Sequence, residues 1–98
     1  MPNTSFFSLQ VIGDFTSQKA IEVRNTLTDL VEKGNTNLLI DLTKTSGVDV
    51  VGINTLAMIY KQVRSEKGNL IIHLTKDSHL SKMLYLTKFE KIFTLIYP

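Results

Sequence analysis

Two short, unbroken apolar runs, Leu38-Leu39-Ile40 and Leu70-Ile71-Ile72, constrain this chain more than any other feature. The first is closed by Asp41-Leu42 and reads as a strand covered on both faces. The second continues through His73-Leu74 as a further strand. Between them Ile53, Leu56, Ala57, Tyr60 and Val63 recur at helical spacing, until Gly68 supplies a stop. Apolar strands joined through an amphipathic helix bury themselves by layering, with helices laid on a sheet.

The flanking segments extend the alternation. Phe6 to Ile12 places apolar residues at 7, 9 and 11, the period of a half-buried strand, and Gly13-Asp14 ends it. Thr16 and Ser17 are N-cap residues for a first helix, with Glu22 expected in its first turn. The apolar face of that helix is 20, 23, 27, 30 and 31, and Gly34 stops it. Asp77 or Ser78 caps a third helix with Leu80, Met83 and Leu84 inward. Phe93-Thr94-Leu95-Ile96-Tyr97 alternates like a terminal strand. The expected fold is one α/β domain over 1–98, ordered β-α-β-α-β-α-β, with a small mixed sheet covered by helices and right-handed crossovers.

Composition removes several function classes. The chain of 98 residues has no cysteine, so disulfides, thiolate metal sites and a cysteine nucleophile are excluded. No apolar run approaches the roughly 20 residues needed to cross a bilayer. The opening Met1-Pro2-Asn3-Thr4-Ser5 lacks a basic segment followed by an apolar one, so a cytoplasmic protein is expected. The net charge of +2 and pI near 9.0 come from eleven Lys and Arg residues scattered singly among acids. That pattern describes solvated faces rather than a phosphate-tracking surface, and no nucleic acid is expected. His73 and His79 lack the further ligands a metal needs. Asp77, Ser78 and His79 are neighbours in sequence, the wrong arrangement for groups that must converge in space. Every glycine is isolated, so no phosphate loop is present. The reading is a non-enzymatic module with no cofactor and no metal.

The stretch Leu38 to Leu56, LLIDLTKTSGVDVVGINTL, carries the signature. It is a buried strand, a polar loop, and a helix start at Asp49-Val50-Val51-Gly52. Free backbone N–H groups at such a start favour anions, but the side chains of Val50 and Val51 donate no hydrogen bond. This segment resembles the STAS domain, the fold of bacterial anti-sigma factor antagonists. Asp41-Leu42 matches the family's strand end, and Asp49-x-x-Gly52-Ile53-x-x-Leu56 matches its Asp-Ser-Ser-Gly-Leu helix opening without a gap. Gly13-Asp14-Phe15-Thr16 resembles its turn before the first helix, and Gly68-Asn69-Leu70 its approach to the next strand. Leu84 to Phe93 resembles its ending. Departures accompany the matches. The hydroxyl that a partner kinase phosphorylates in the family is absent, because both candidate positions are Val50 and Val51. Gly47 stands for a bulky apolar residue, Thr16 for Asp and Lys88 for Gly, and the family's final helix is missing.

The resemblance implies a protein-docking module using Thr45, Ser46, Asp49, Val50, Val51, Gly52 and Asn54, with Asp41 and Asp49 structural or partner-facing. The implied partner is an anti-sigma factor or its serine-kinase relative, bound without phospho-switching at Val50. The alternative from the same family is a soluble subunit docking on the ATPase of a membrane transport complex. Thr43, Thr45 and Ser46 offer hydroxyls in the loop, expected to serve as turn residues bonded to nearby backbone. Met58 and Ile59 fall off the main stripe of the second helix. Exposed, they form an apolar patch beside the loop; packed, they belong to the core. Oligomeric state stays open.

Overall fold

The computed structural model describes residues 6–75, 78–86, 88 and 93–97. Its main sheet is built from β1 (Phe7–Gln10), β3 (Asn37–Asp41), β5 (Asn69–His73) and β6 (Thr94–Ile96), in that spatial order. The register is unshifted, with Leu38 opposite Phe7 and Leu70, and Ile40 opposite Leu9 and Ile72. A second, two-stranded sheet pairs β2 (Gly13–Phe15) with β4 (Thr45–Val48). Three helices complete the description: α1 (Ser17–Glu32), α2 (Val50–Ser65) and α3 (His79–Leu86).

The α/β class expected from sequence holds, with differences in detail. All pairs among the described strands are parallel, where a mixed sheet was expected. The first strand is two: Val11 turns inward and gives its N–H to the Asp41 carbonyl at 3.0 Å, and Gly13, at φ +83°, redirects the chain onto β4. That left-handed value suits glycine, which has no Cβ to clash. The expected polar loop after Leu42 shrinks to a tight turn at Thr43-Lys44, because Thr45–Val48 is drawn into pairing with β2.

Strands in sequential order joined by right-handed crossovers place their helices on one face of the sheet. The burial follows. Leu38, Ile40, Leu70 and Ile72 are buried in one core with Ala20, Leu27, Leu56 and Val63, while Leu39 and Ile71 on the opposite face are only half-buried. β3 therefore alternates, where a strand covered on both faces was expected.

α1 begins at Ser17, so Glu22 lies beyond its first turn, which holds no acidic residue. Its apolar face is as read from sequence, with Ala20, Val23 and Leu27 buried and Gly34 beyond its C-cap at φ +97°. α2 buries a wider band than its periodicity suggested: Gly52, Ile53, Thr55, Leu56, Ile59 and Val63. Ile59 and Met58 part company here, because Ile59 is fully buried and Met58 is 43% exposed. α3 is capped as expected at Ser78, whose Oγ accepts from the Ser81 N–H at 3.1 Å; the alternative cap, Asp77, lies outside the described residues. Leu80 and Leu84 are buried beneath it, and the terminal strand forms at Thr94–Ile96.

The split between Ile59 and Met58 is directly measurable. Ile59→Ala is expected to cost about 2–5 kcal/mol by urea denaturation, from lost burial and the residual cavity. Met58→Ala is expected to stay within about 0.5 kcal/mol of the parent.

Candidate functional site

The second helix starts where the small sheet ends, and its start is held by one carboxylate. Asp49 is the extended N-cap residue of α2, and its Oδ1 accepts the Gly52 N–H at 3.0 Å. Its other oxygen, Oδ2, accepts both the backbone N–H and the Oγ hydroxyl of Ser17, at 3.2 and 3.3 Å. Thr16, the N-cap of α1, makes no side-chain cap bond of its own. Asp49 thus supplies acceptors to the first turns of two helices, whose N–H groups have no intrahelical partner. The Ser17 bonds also hold that residue at φ +35°, a region L residues seldom occupy.

Close backbone contact fixes the same joint from the other side. A Cβ on Gly52 would stand 2.4 Å from the Phe15 carbonyl oxygen and 2.9 Å from Val48 Cγ2, so only glycine lets α2 lie this near β2. Phe15 is fully buried there. Behind it, Thr55, itself buried, donates its hydroxyl to the Ala20 carbonyl at 3.5 Å, linking α2 to α1.

The loop hydroxyls are all engaged as donors. Thr43 gives its N–H and its Oγ1 to Asp41 Oδ1, at 2.9 and 2.6 Å, closing the turn after β3. Thr45 Oγ1 donates to the Val11 carbonyl at 2.9 Å, and Ser46 Oγ to Asp14 Oδ1 at 3.0 Å. Thr43 thus acts within its own turn, while Thr45 and Ser46, expected in a loop, lie in β4 and tie it to the Val11–Asp14 segment. Gln10 Nε2 donates to Asp41 Oδ2 at 3.1 Å. Asp41 and Asp49 therefore serve separate donor sets.

Both carboxylates titrate below the usual aspartate range. For Asp41 the Thr43 hydroxyl is the main cause, followed by the Thr43 N–H, with smaller help from His73 and Gln10. For Asp49 the Gly52 N–H leads, followed by the Ser17 N–H and hydroxyl. Bonds to the charged form favour ionisation.

On this rigid joint sit apolar side chains facing water. Val50 is 68% exposed, Val51 and Asn54 are also exposed, and Met58 continues the line one turn further along α2. Of the residues expected from sequence to meet a partner, Val50, Val51, Asn54 and Ser46 are exposed; Thr45 and Asp49 are half-buried and Gly52 is buried. The last three shape the site rather than present themselves. From sequence Ser17 reads only as a local cap and Phe15 only as part of a turn; their parts in the joint rest on pairs over thirty residues apart, which leave no local signal. Among the described residues no three His, Cys, Asp or Glu side chains converge on a metal position. Among them, too, no helix is long and apolar enough to cross a membrane.

The STAS domain family model matches residues 3–98. Among solved structures, the anti-sigma factor antagonist SpoIIAA in its unphosphorylated form superposes with a TM-score of 0.77 at 13% identity, covering 98% of this chain and 83% of that one. A Thermotoga maritima protein, assigned provisionally as an anti-sigma factor antagonist, superposes with a TM-score of 0.81 at 16% identity, covering 93% and 79%. At these identities the likeness to the two structures is one of fold.

Lowered folded-state pKa values give a pH dependence of definite sign. The stability contributed by Asp41 and Asp49 is fully present above their ordinary value of 3.8 and is lost as pH falls through their lower folded values. The D41N/D49N double variant is expected to be less stable than the parent at pH 7, with a Tm several degrees lower. It is also expected to lose less on acidification from pH 5 to pH 2.5, so that the two Tm curves converge in acid.

Proposed function

Because the chain belongs to the STAS domain family, we propose that it is a non-catalytic docking module for an anti-sigma factor or a related serine kinase. Its binding surface is the start and exposed face of α2 with the neighbouring edge of β4. One observation carries this reading: Val50, 68% exposed, stands on the residue next to the doubly bonded Asp49. An exposed valine at a helix start is held there by a frame that cannot relax inward to cover it. Exposed apolar side chains on a rigid frame lose water on docking at little cost in ordering.

The same position sets the regulation. Val50 and Val51 have no hydroxyl, so a kinase that meets this helix start finds no acceptor there. Binding is then governed by how much of the protein is present. The hydroxyls just before the helix start, Thr45 and Ser46, already donate to Val11 and Asp14 within the fold.

Affinity capture from native lysate with the wild-type chain and with V50D tests the surface and the partner together. Recovery of an anti-sigma factor or serine kinase by wild type, with at least tenfold less on V50D, is the expected result. Equal recovery by both removes the surface from the reading; recovery of a transporter ATPase overturns the partner. V50S is expected to become a phosphate acceptor for the recovered kinase, read by mass spectrometry. Phosphate on Thr43, Thr45 or Ser46 of the native protein would contradict regulation by amount alone.

A further inference from the structure

Charge is sorted between the helices. α2 carries no Asp or Glu from Val50 to Ser65, and α3 carries none from His79 to Leu86. α1 carries Glu22, Asp29 and Glu32. α2 and α3 both pack against β4. None of their exposed side chains is acidic: the apolar ones are Val50, Val51 and Met58 on α2 and Tyr85 and Leu86 on α3, with Lys61 and Lys82 exposed beside them. Among the described residues the ion pair formed is Lys33 with Asp29, so Lys61 and Lys82, like Lys44 ahead of β4, pair with none of the described acids. Near the α2 start, Asp49 is bonded to Ser17 and Gly52 and Asp14 to Ser46.

Spacing adds a shape. Val50, Asn54 and Met58 are four residues apart, so they form one ridge rising about 6 Å per step along α2. Lys61 stands at its far end. A ridge of i, i+4 residues packs into the matching groove of another helix.

Resting on the docking reading above, we propose that the α2 face receives a helix of the partner protein whose apolar stripe is flanked by Asp or Glu. The apolar residues of that stripe cover Val50, Val51 and Met58, and its carboxylates meet Lys61. An anionic membrane also offers negative charge. The α2 ridge, however, sets the polar Asn54 between Val50 and Met58 and holds no aromatic anchor, the exposed Tyr85 belonging to α3, and this suits a helix groove better than a lipid interface.

The test uses the full chain, isotopically labelled, titrated with two synthetic helix-forming peptides. They share one leucine stripe and differ only in Glu or Lys flanks. The Glu peptide is expected to shift the amide resonances of Val50, Val51, Asn54 and Met58 and to bind roughly two- to tenfold tighter than the Lys peptide, a margin that high salt erases. Lys61→Glu is expected to narrow or reverse that preference without changing the fold. If the Lys peptide binds α2 as tightly as the Glu peptide, the acidic chemistry falls while the docking face stands. If shifts map to α1 or to the half-buried sheet face, or neither peptide binds, the docking reading falls with it. If α2 responds to phosphatidylserine vesicles and to neither peptide, the partner is a membrane and the proposal is overturned.

Discussion

One carboxylate determines where two helices begin. The oxygens of Asp49 divide their work, Oδ1 accepting from Gly52 at the start of α2 and Oδ2 from Ser17 at the start of α1. Helix starts carry backbone donors that need acceptors, and a shared acceptor fixes the two starts relative to each other. The absence of a Cβ at Gly52 then lets α2 settle on the Phe15 carbonyl, and β2 pairs with β4 in the space that remains. Without that joint, the four-stranded sheet would still bury Leu38, Ile40, Leu70 and Ile72, but nothing would hold Val50 and Val51 out in water at a defined place.

The proposed docking surface follows from that frame. Residues at the helix start divide into those that build and those that face outward. Asp49 and Gly52 build, Val50 and Val51 face out, and the division comes from the geometry of the first helical turn. Fold likeness to an anti-sigma factor antagonist extends along nearly all of the chain, and positions 50 and 51 carry valine, which has no hydroxyl. The frame does not depend on the side chain at position 50, since capping uses the Asp49 carboxylate and the backbone.

Much of this fold is written in local patterns. The strands at Leu38–Ile40 and Leu70–Ile72, the apolar face of α1 and the Ser78 cap all arise from neighbours in sequence, and all were legible there. The features that escaped are non-local. Apolar alternation at 7, 9 and 11 reads as one strand, yet Val11 leaves the sheet because Asp41 offers its carbonyl and Gly13 permits the bend. Met58 and Ile59 are both apolar neighbours in sequence, and the packing of α2 against both α1 and the sheet decides which is buried. The Asp49–Ser17 bonds join residues 32 apart, so each looked like a local cap for its own helix.

The central claim is that the outward face of α2 meets a protein partner in the cell. Site-specific photo-crosslinking tests it most directly, with the reactive residue placed at Met58 and, as the control, at exposed Glu22 on α1. An adduct from position 58 with a single protein of the anti-sigma factor or serine-kinase kind, and none from position 22, is the expected result. Adducts from position 22 alone, or none from position 58 in cells where the chain is fully expressed, would contradict it.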